Sequence, residues 1–124
     1  MTSVAWEPDP SYDGDSVHEV RVIRPRGELD IATVDELDRV LREVPVTSHL
    51  VIDLAEVTFV DSVTLSRLVR AARLHEAAGT AVVLAGAAGI VQRVLSITQL
   101  DVVLRCTTTV PEAEILLGVA PEGG

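Results

Sequence analysis

At 124 residues the chain has the length of one domain, and its apolar fraction of 48% is enough for a real core. Its formal charge of −9 repels nucleic acid and anionic membrane surfaces, and Trp6, Tyr12 and Phe59, its only aromatics, leave almost nothing on which bases could stack. All ten basic residues are arginine, and the lack of lysine excludes a Walker-type phosphate loop and a Schiff-base enzyme.

In chain order, residues 1–15 hold Pro8, Pro10, Gly14 and four acidic residues without periodicity, and read as a flexible acidic tail. Val17 to Arg24 predicts a strand ended by Pro25, and Arg26 to Leu29 a short second strand. A helix follows, with Ile31, Val34, Leu37, Leu41 and Val44 on one face. Thr33 and Glu36 form a candidate capping box, Asp30 is a rival cap, and Pro45 closes the helix. His49 to Leu54 has the near-continuous apolar character of a strand buried on both faces. A second helix is expected from about Ser62 to Ala78, with Leu65, Leu68, Val69, Ala72 and Leu74 on its apolar side and Gly79 as its stop. Thr80 to Ala85 predicts another buried strand, and Ile90 to Leu95 a short third helix. Val102 to Arg105 predicts a last strand, and a final helix starts at Pro111 and runs through about Leu117. Residues 119–124 read as a frayed end. Strands alternating with helices mean an α/β layer with parallel pairs and right-handed crossovers.

Cys106 is the single cysteine and reads as a small core residue in a reducing compartment. No apolar run reaches the length of a membrane span, and the N-terminus shows no basic region followed by an apolar one, so a cytoplasmic address is expected.

The segment Phe59-Val60-Asp61-Ser62-Val63-Thr64-Leu65 places a carboxylate and a hydroxyl at a helix N-terminus beside a strand end. Such a position suits a phosphate, because free backbone N–H groups and the helix dipole favour negative charge there. Locally, Asp61 or Ser62 reads equally well as a plain N-cap. Arg67, Arg70 and Arg73 recur at three-residue spacing, either as a basic stripe toward an acidic partner or as a solvated face.

Other motifs point away from chemistry. Asp53 ends a buried strand, but the acidic pair and lysine of a phospho-accepting receiver are missing, so a loop-capping role is expected. Gly86-Ala87-Ala88-Gly89 lacks the full dinucleotide fingerprint and reads as a turn. His18, His49 and His75 have no metal-ligand spacing and are expected at the surface or half buried; no metal or cofactor is implied. No serine lies in a Gly-x-Ser-x-Gly elbow.

Four segments together resemble the STAS domain, and within it the bacterial anti-sigma factor antagonists. They are Gly27-Glu28-Leu29-Asp30, Asp53-Leu54 with Val57 to Ser62, Ala78-Gly79-Thr80, and Ile97-Thr98-Gln99-Leu100-Asp101. The resemblance covers about residues 17–118 and places the domain at 16–118. It implies a STAS-like single α/β domain with a mixed, mostly parallel central sheet and about four helices. It also implies a non-catalytic switch. The unphosphorylated antagonist binds an anti-sigma factor that is a serine kinase, phosphorylation releases it, and a PP2C-type phosphatase resets it. Carried over by motif, Ser62 is the phosphoacceptor with Thr64 as alternative. Asp30, Asp61, Ser62, Val63, Thr64, Arg67 and Arg70 form the partner surface. Val63, Thr64 and Gln99 depart from the family's usual Ser/Thr, Gly and Gly. That departure favours an alternative, a STAS scaffold or small-ligand-binding module outside phosphorylation control. Oligomeric state stays open between monomer and homodimer.

Overall fold

The computed structural model describes residues 18–118 in full and the backbone of residues 4–8. The chain runs through β1 (Val4–Pro8), β2 (Val20–Pro25), β3 (Gly27–Leu29), α1 (Val34–Glu43), β4 (His49–Asp53), β5 (Val57–Val60) and α2 (Ser62–Ala77). It continues through β6 (Val82–Ala85), α3 (Gly89–Ile97), α4 (Leu100–Val103), β7 (Arg105–Thr107) and α5 (Val110–Leu116). Five strands form one sheet in the order β1-β2-β4-β6-β7, antiparallel only between β1 and β2. A separate parallel pair joins β3 to β5. No helix of the described residues is long and apolar enough to cross a membrane.

The central strands are buried on both faces, as their uninterrupted aliphatic runs require. Leu50, Val51 and Ile52 of β4 and Val83, Leu84 and Ala85 of β6 are wholly inaccessible. Alternate residues point to opposite sides. Ile23, Leu50, Ile52 and Leu84 meet Leu37 and Val40 of α1, Leu65 and Leu68 of α2, and Val91 and Leu95 of α3 in the larger core. Val20, Val22, Val51 and Val83 meet Ala113 of α5 in a smaller one. Burial of each such Leu or Ile contributes roughly 1.5–3 kcal/mol, so the larger core dominates stability.

Several elements differ from the sequence expectations. Val4–Pro8, inside the expected flexible tail, pair antiparallel with β2; the expected tail and frayed end otherwise lie outside the described residues. Pairing with the edge of β2 gives that strand its partner, a non-local interaction that no local pattern announces. Val57–Val60 form β5 rather than a plain link. Its register with β3 slips between Gly27 and Glu28, so that Gly27 opposes Val57 while Glu28 opposes Phe59. Thr58 is therefore the spare residue of a bulge.

Val102 and Val103, expected in a strand, belong to the helical turn α4 and are 84% and 59% exposed. The Leu104 N–H donates to the Leu100 carbonyl and closes that turn, so the strand begins only at Arg105. The turn is entered through Gln99 at φ 61°, in the left-handed region that favours glycine. Cys106 lies exposed on β7 instead of in the core, since β7 is the sheet's edge. Ile31 is 70% exposed and precedes α1, whose buried face is Val34, Leu37 and Val40, with buried Val44 as its C-cap.

His75 is buried, not superficial. Its Nδ1–H donates to the Ser48 carbonyl at 2.8 Å and lies 3.2 Å from the Thr80 hydroxyl, which in turn donates to the Val46 carbonyl. Burial lowers its pKa, partly offset by the Ser48 bond. His49 accepts the Ala81 N–H and packs edge-on against His18; burial first, then neighbouring His18, His75 and Arg105, lowers its pKa also.

Candidate functional site

The β3–β5 ladder sets two loops side by side. Leu29 and Val60 are register partners, and the N–H of the next residue, Asp61, donates to the Leu29 carbonyl at 3.1 Å. The chain leaving β3 at Asp30 thus adjoins the chain leaving β5 at Asp61.

Asp61 is the hub of this junction. Its extended backbone places the side chain over the start of α2, where Oδ1 accepts the Thr64 N–H at 2.8 Å. This is N-capping, with the preferred residue type. Its second oxygen, Oδ2, accepts the Ile31 N–H at 2.9 Å. One carboxylate therefore starts α2 and holds the Asp30–Thr33 turn against it. Partial burial would raise the Asp61 pKa, but bonds from Thr64 and Ile31 outweigh that and hold the carboxyl below its ordinary value.

The opposing turn is locally braced. Asp30 Oδ1 accepts the Ala32 N–H at 3.0 Å, and the Asp30 N–H donates to the Thr33 hydroxyl at 3.0 Å. Thr33 does occupy the N-cap position of α1, but its side chain makes no capping bond, so the expected box with Glu36 does not form. The hydroxyl is turned back onto Asp30.

Ser62 is the first residue of α2 and is exposed. Its helix is sixteen residues long and has no acidic residue in its first turn beyond the Asp61 cap. Val63 is half buried. Thr64 is wholly buried, on the same inward stripe as Leu68, Ala71 and His75, so its hydroxyl is not offered to solvent. Its extra bulk, compared with glycine, is accommodated in the interior and leaves the outer surface of the junction unobstructed.

Farther along α2 the arginines diverge. Arg67 Nε lies 3.5 Å from Asp38 Oδ2 and ties α2 to α1. Arg70 and Arg73 are exposed, and with Ser62, Ser66 and Thr98 they border a shallow depression between α2 and the turn after α3. The structure therefore brings Asp30, Asp61, Ser62 and Val63 together, turns Thr64 inward, and sets Arg67 and Arg70 one to two turns away. Sequence reasoning missed Ile31 and Phe59. Ile31, 70% exposed, donates its N–H to Asp61, and Phe59, 39% exposed, stands two residues before Asp61 on β5; no local sequence pattern marks either.

Elsewhere Asp53 caps its loop as expected: Oδ1 accepts the Ala55 N–H at 3.0 Å, and Oδ2 lies 3.4 Å from Arg24 Nε. Among the described residues, no cluster of three or more His, Cys, Asp or Glu side chains is placed to hold a metal ion.

Comparison with known proteins gives a consistent picture. The family model described as STAS domain matches residues 13–113. The structure of TM1081 from Thermotoga maritima superposes with a TM-score of 0.75 at 21% identity, covering 91% of this chain and 92% of that one. An anti-sigma factor antagonist from Mycobacterium paratuberculosis is 28% identical, with a TM-score of 0.69 and coverage of 94% and 95%. The murine anion transporter Slc26a9 contains the same fold as a part: TM-score 0.74, 14% identity, 95% of this chain and 22% of that one.

Proposed function

The chain belongs to the STAS domain family, and on that premise we propose that it is an anti-sigma factor antagonist switched by phosphorylation of Ser62. In this reading the unmodified protein binds a cytoplasmic anti-sigma factor with serine kinase activity and thereby frees a sigma factor. Phosphorylation dissolves the complex, and a PP2C-type phosphatase restores it. The antagonist itself performs no catalysis.

The observation that carries the reading is the setting of Ser62. It is an exposed hydroxyl at the first position of a long helix, beside a carboxylate already committed to two backbone N–H groups. Phosphate there meets unused helix N–H groups and a favourable dipole, so the fold tolerates it. The change falls on the surface, where about −1.5 to −2 new charges arrive next to Asp61, whose carboxylate holds the exposed Ile31, and three residues beyond the exposed Phe59. A partner that buries those apolar groups would have to desolvate the phosphate, and the complex weakens. The antagonist at 28% identity supports the same role.

The test is incubation with the anti-sigma kinase and ATP, followed by site mapping across residues 58–70. Phosphate on Ser62, absent from Ser62→Ala, with loss of the complex, supports the switch. A segment that stays unmodified while the complex forms supports the second reading, a constitutive STAS scaffold. That reading is favoured by Val63 standing where the family has Ser/Thr, and by the occurrence of this fold within a transporter.

A further inference from the structure

A second concave surface lies away from Ser62, between the C-terminal half of α1 and the middle of α2. It is a groove of about 330 Å³. Its apolar lining includes Leu41, Val44, Val46, Ala71 and Leu74. Leu74 is 53% and Val46 41% exposed, so the groove keeps apolar surface in water. Its base is fixed: His75 lines it and is locked by Ser48 and Thr80, and the Thr80 hydroxyl holds the Val46 carbonyl at 2.6 Å.

The charge of the lining is opposite to that of the protein. Arg42, Arg67 and Arg70 border the groove against one carboxylate, Asp38, in a chain of net charge −9. Arg67 is occupied by Asp38. Arg42 and Arg70 have no carboxylate partner among the described residues. Two unpaired guanidinium groups beside an open apolar floor complement a molecule that is apolar along its body and anionic at one end.

A volume of about 330 Å³ falls at the lower end of the range for small-molecule sites, roughly 300–1,000 Å³. We propose that the α1–α2 groove binds a small amphipathic anion, an unbranched alkyl carboxylate of medium length, with its chain along Leu41, Val46 and Leu74 and its headgroup between Arg42 and Arg70. The proposal does not rest on phosphorylation of Ser62, although Arg70 borders the Ser62 depression as well.

Sodium decanoate, below its micellar concentration, is the probe. Titration calorimetry on the full chain is expected to give saturable 1:1 binding, and amide shift mapping is expected to place it at Leu41, Val46 and Leu74. Decyl glucoside, with a chain but no charge, and acetate, with a charge but no chain, are each expected to bind at least tenfold more weakly. Leu74→Gln and the double variant Arg42→Gln/Arg70→Gln are expected to lose tenfold or more. These positions are exposed, and an unchanged amide spectrum verifies the fold. Equal binding of decyl glucoside, wild-type affinity in the arginine variant, or shifts that map elsewhere would overturn the proposal. So would an acidic amphipathic peptide that displaces decanoate from the same residues with higher affinity, since the groove would then belong to a protein. Leu74 and Arg42 lie outside the Ser62 surface while Arg70 borders both, so the Leu74→Gln arm tells a failure here from a failure of the kinase test.

Discussion

Asp61 and Ile31 are thirty residues apart in sequence, yet the carboxylate of one accepts the backbone N–H of the other at 2.9 Å. The other oxygen of Asp61 caps α2 through Thr64. A residue that reads in the sequence as a helix cap thus also fastens the β3–α1 turn to the start of α2. Removing it should affect both.

Asp61→Ala is expected to cost about 1–2 kcal/mol, the upper part of the range for N-cap loss, because a second N–H loses its acceptor as well. Asp61→Asn keeps one good acceptor and should cost about half as much. Urea denaturation at neutral pH measures both. The carboxyl's lowered pKa sets the sign of its pH dependence. Its contribution is present above the ordinary value of 3.8 and is lost as pH falls through the lower folded value, so the asparagine variant should show a shallower loss in acid. Equal stability of all three proteins at pH 7 would remove Asp61 as the hub.

Ser62→Ala and Ser62→Asp should both fold like the wild type, within about 0.5 kcal/mol, because the side chain is exposed. The alanine variant should bind the anti-sigma partner under phosphorylating conditions, and the aspartate variant should bind more weakly. Surface plasmon resonance with and without kinase and ATP reads the difference. Loss of partner binding by Ser62→Ala would count against the switch.

Histidine gives a second pH window. His75 and His49 have lowered folded-state pKa values, so the unfolded chain takes up protons first as pH drops below 6.5. Stability is complete above that pH and should decline as pH falls toward the folded values. The midpoint of urea unfolding should therefore be lower at pH 5.5 than at 7.5. In His75→Gln the absolute stability should be lower at both values and the difference between them smaller. A midpoint independent of pH in the wild type would contradict this.

Gln99 holds a left-handed backbone that costs a non-glycine residue roughly 1–2 kcal/mol, while glycine brings an entropic cost of about 0.5–1 kcal/mol. Gln99→Gly should therefore stabilise the protein by a net of about 0.5–1 kcal/mol. Thermal melting should show a rise of a few degrees, with partner binding intact. A fall in melting temperature would mean that the Gln99 side chain makes a compensating contact.

How far the sequence reveals this molecule depends on which interactions decide each element. Strands β4 and β6 were readable because burial on both faces leaves uninterrupted aliphatic runs. Helix α2 was readable because Asp61 and Gly79 bracket it. Strand β5 was not, since its four residues are ordered by pairing with a three-residue strand thirty positions earlier. Val102 and Val103 carry a strand's residue types, yet the Leu104–Leu100 bond makes them a helical turn. The inward face of Thr64 and His75 was legible in principle: both fall on the Leu68–Ala71 stripe, and only their polarity hid them. The reach of Asp61 to Ile31 has no sequence signature, because it depends on the register of two short strands.

That register is reached through a bulge at Thr58. β5 spends one residue more than β3 between Gly27–Val57 and Leu29–Val60. Thr58 has no residue opposite it, so its removal would leave Phe59 facing Glu28 and Val60 facing Leu29, with Asp61 still beside Leu29. Beyond the bulge there is no such slack. Strand faces alternate with every residue, so a residue inserted after Phe59 would turn each later side chain to the other side and carry Asp61 away from Ile31. Among descendants of this gene, changes of chain length in β5 should be tolerated at Thr58 and avoided after it.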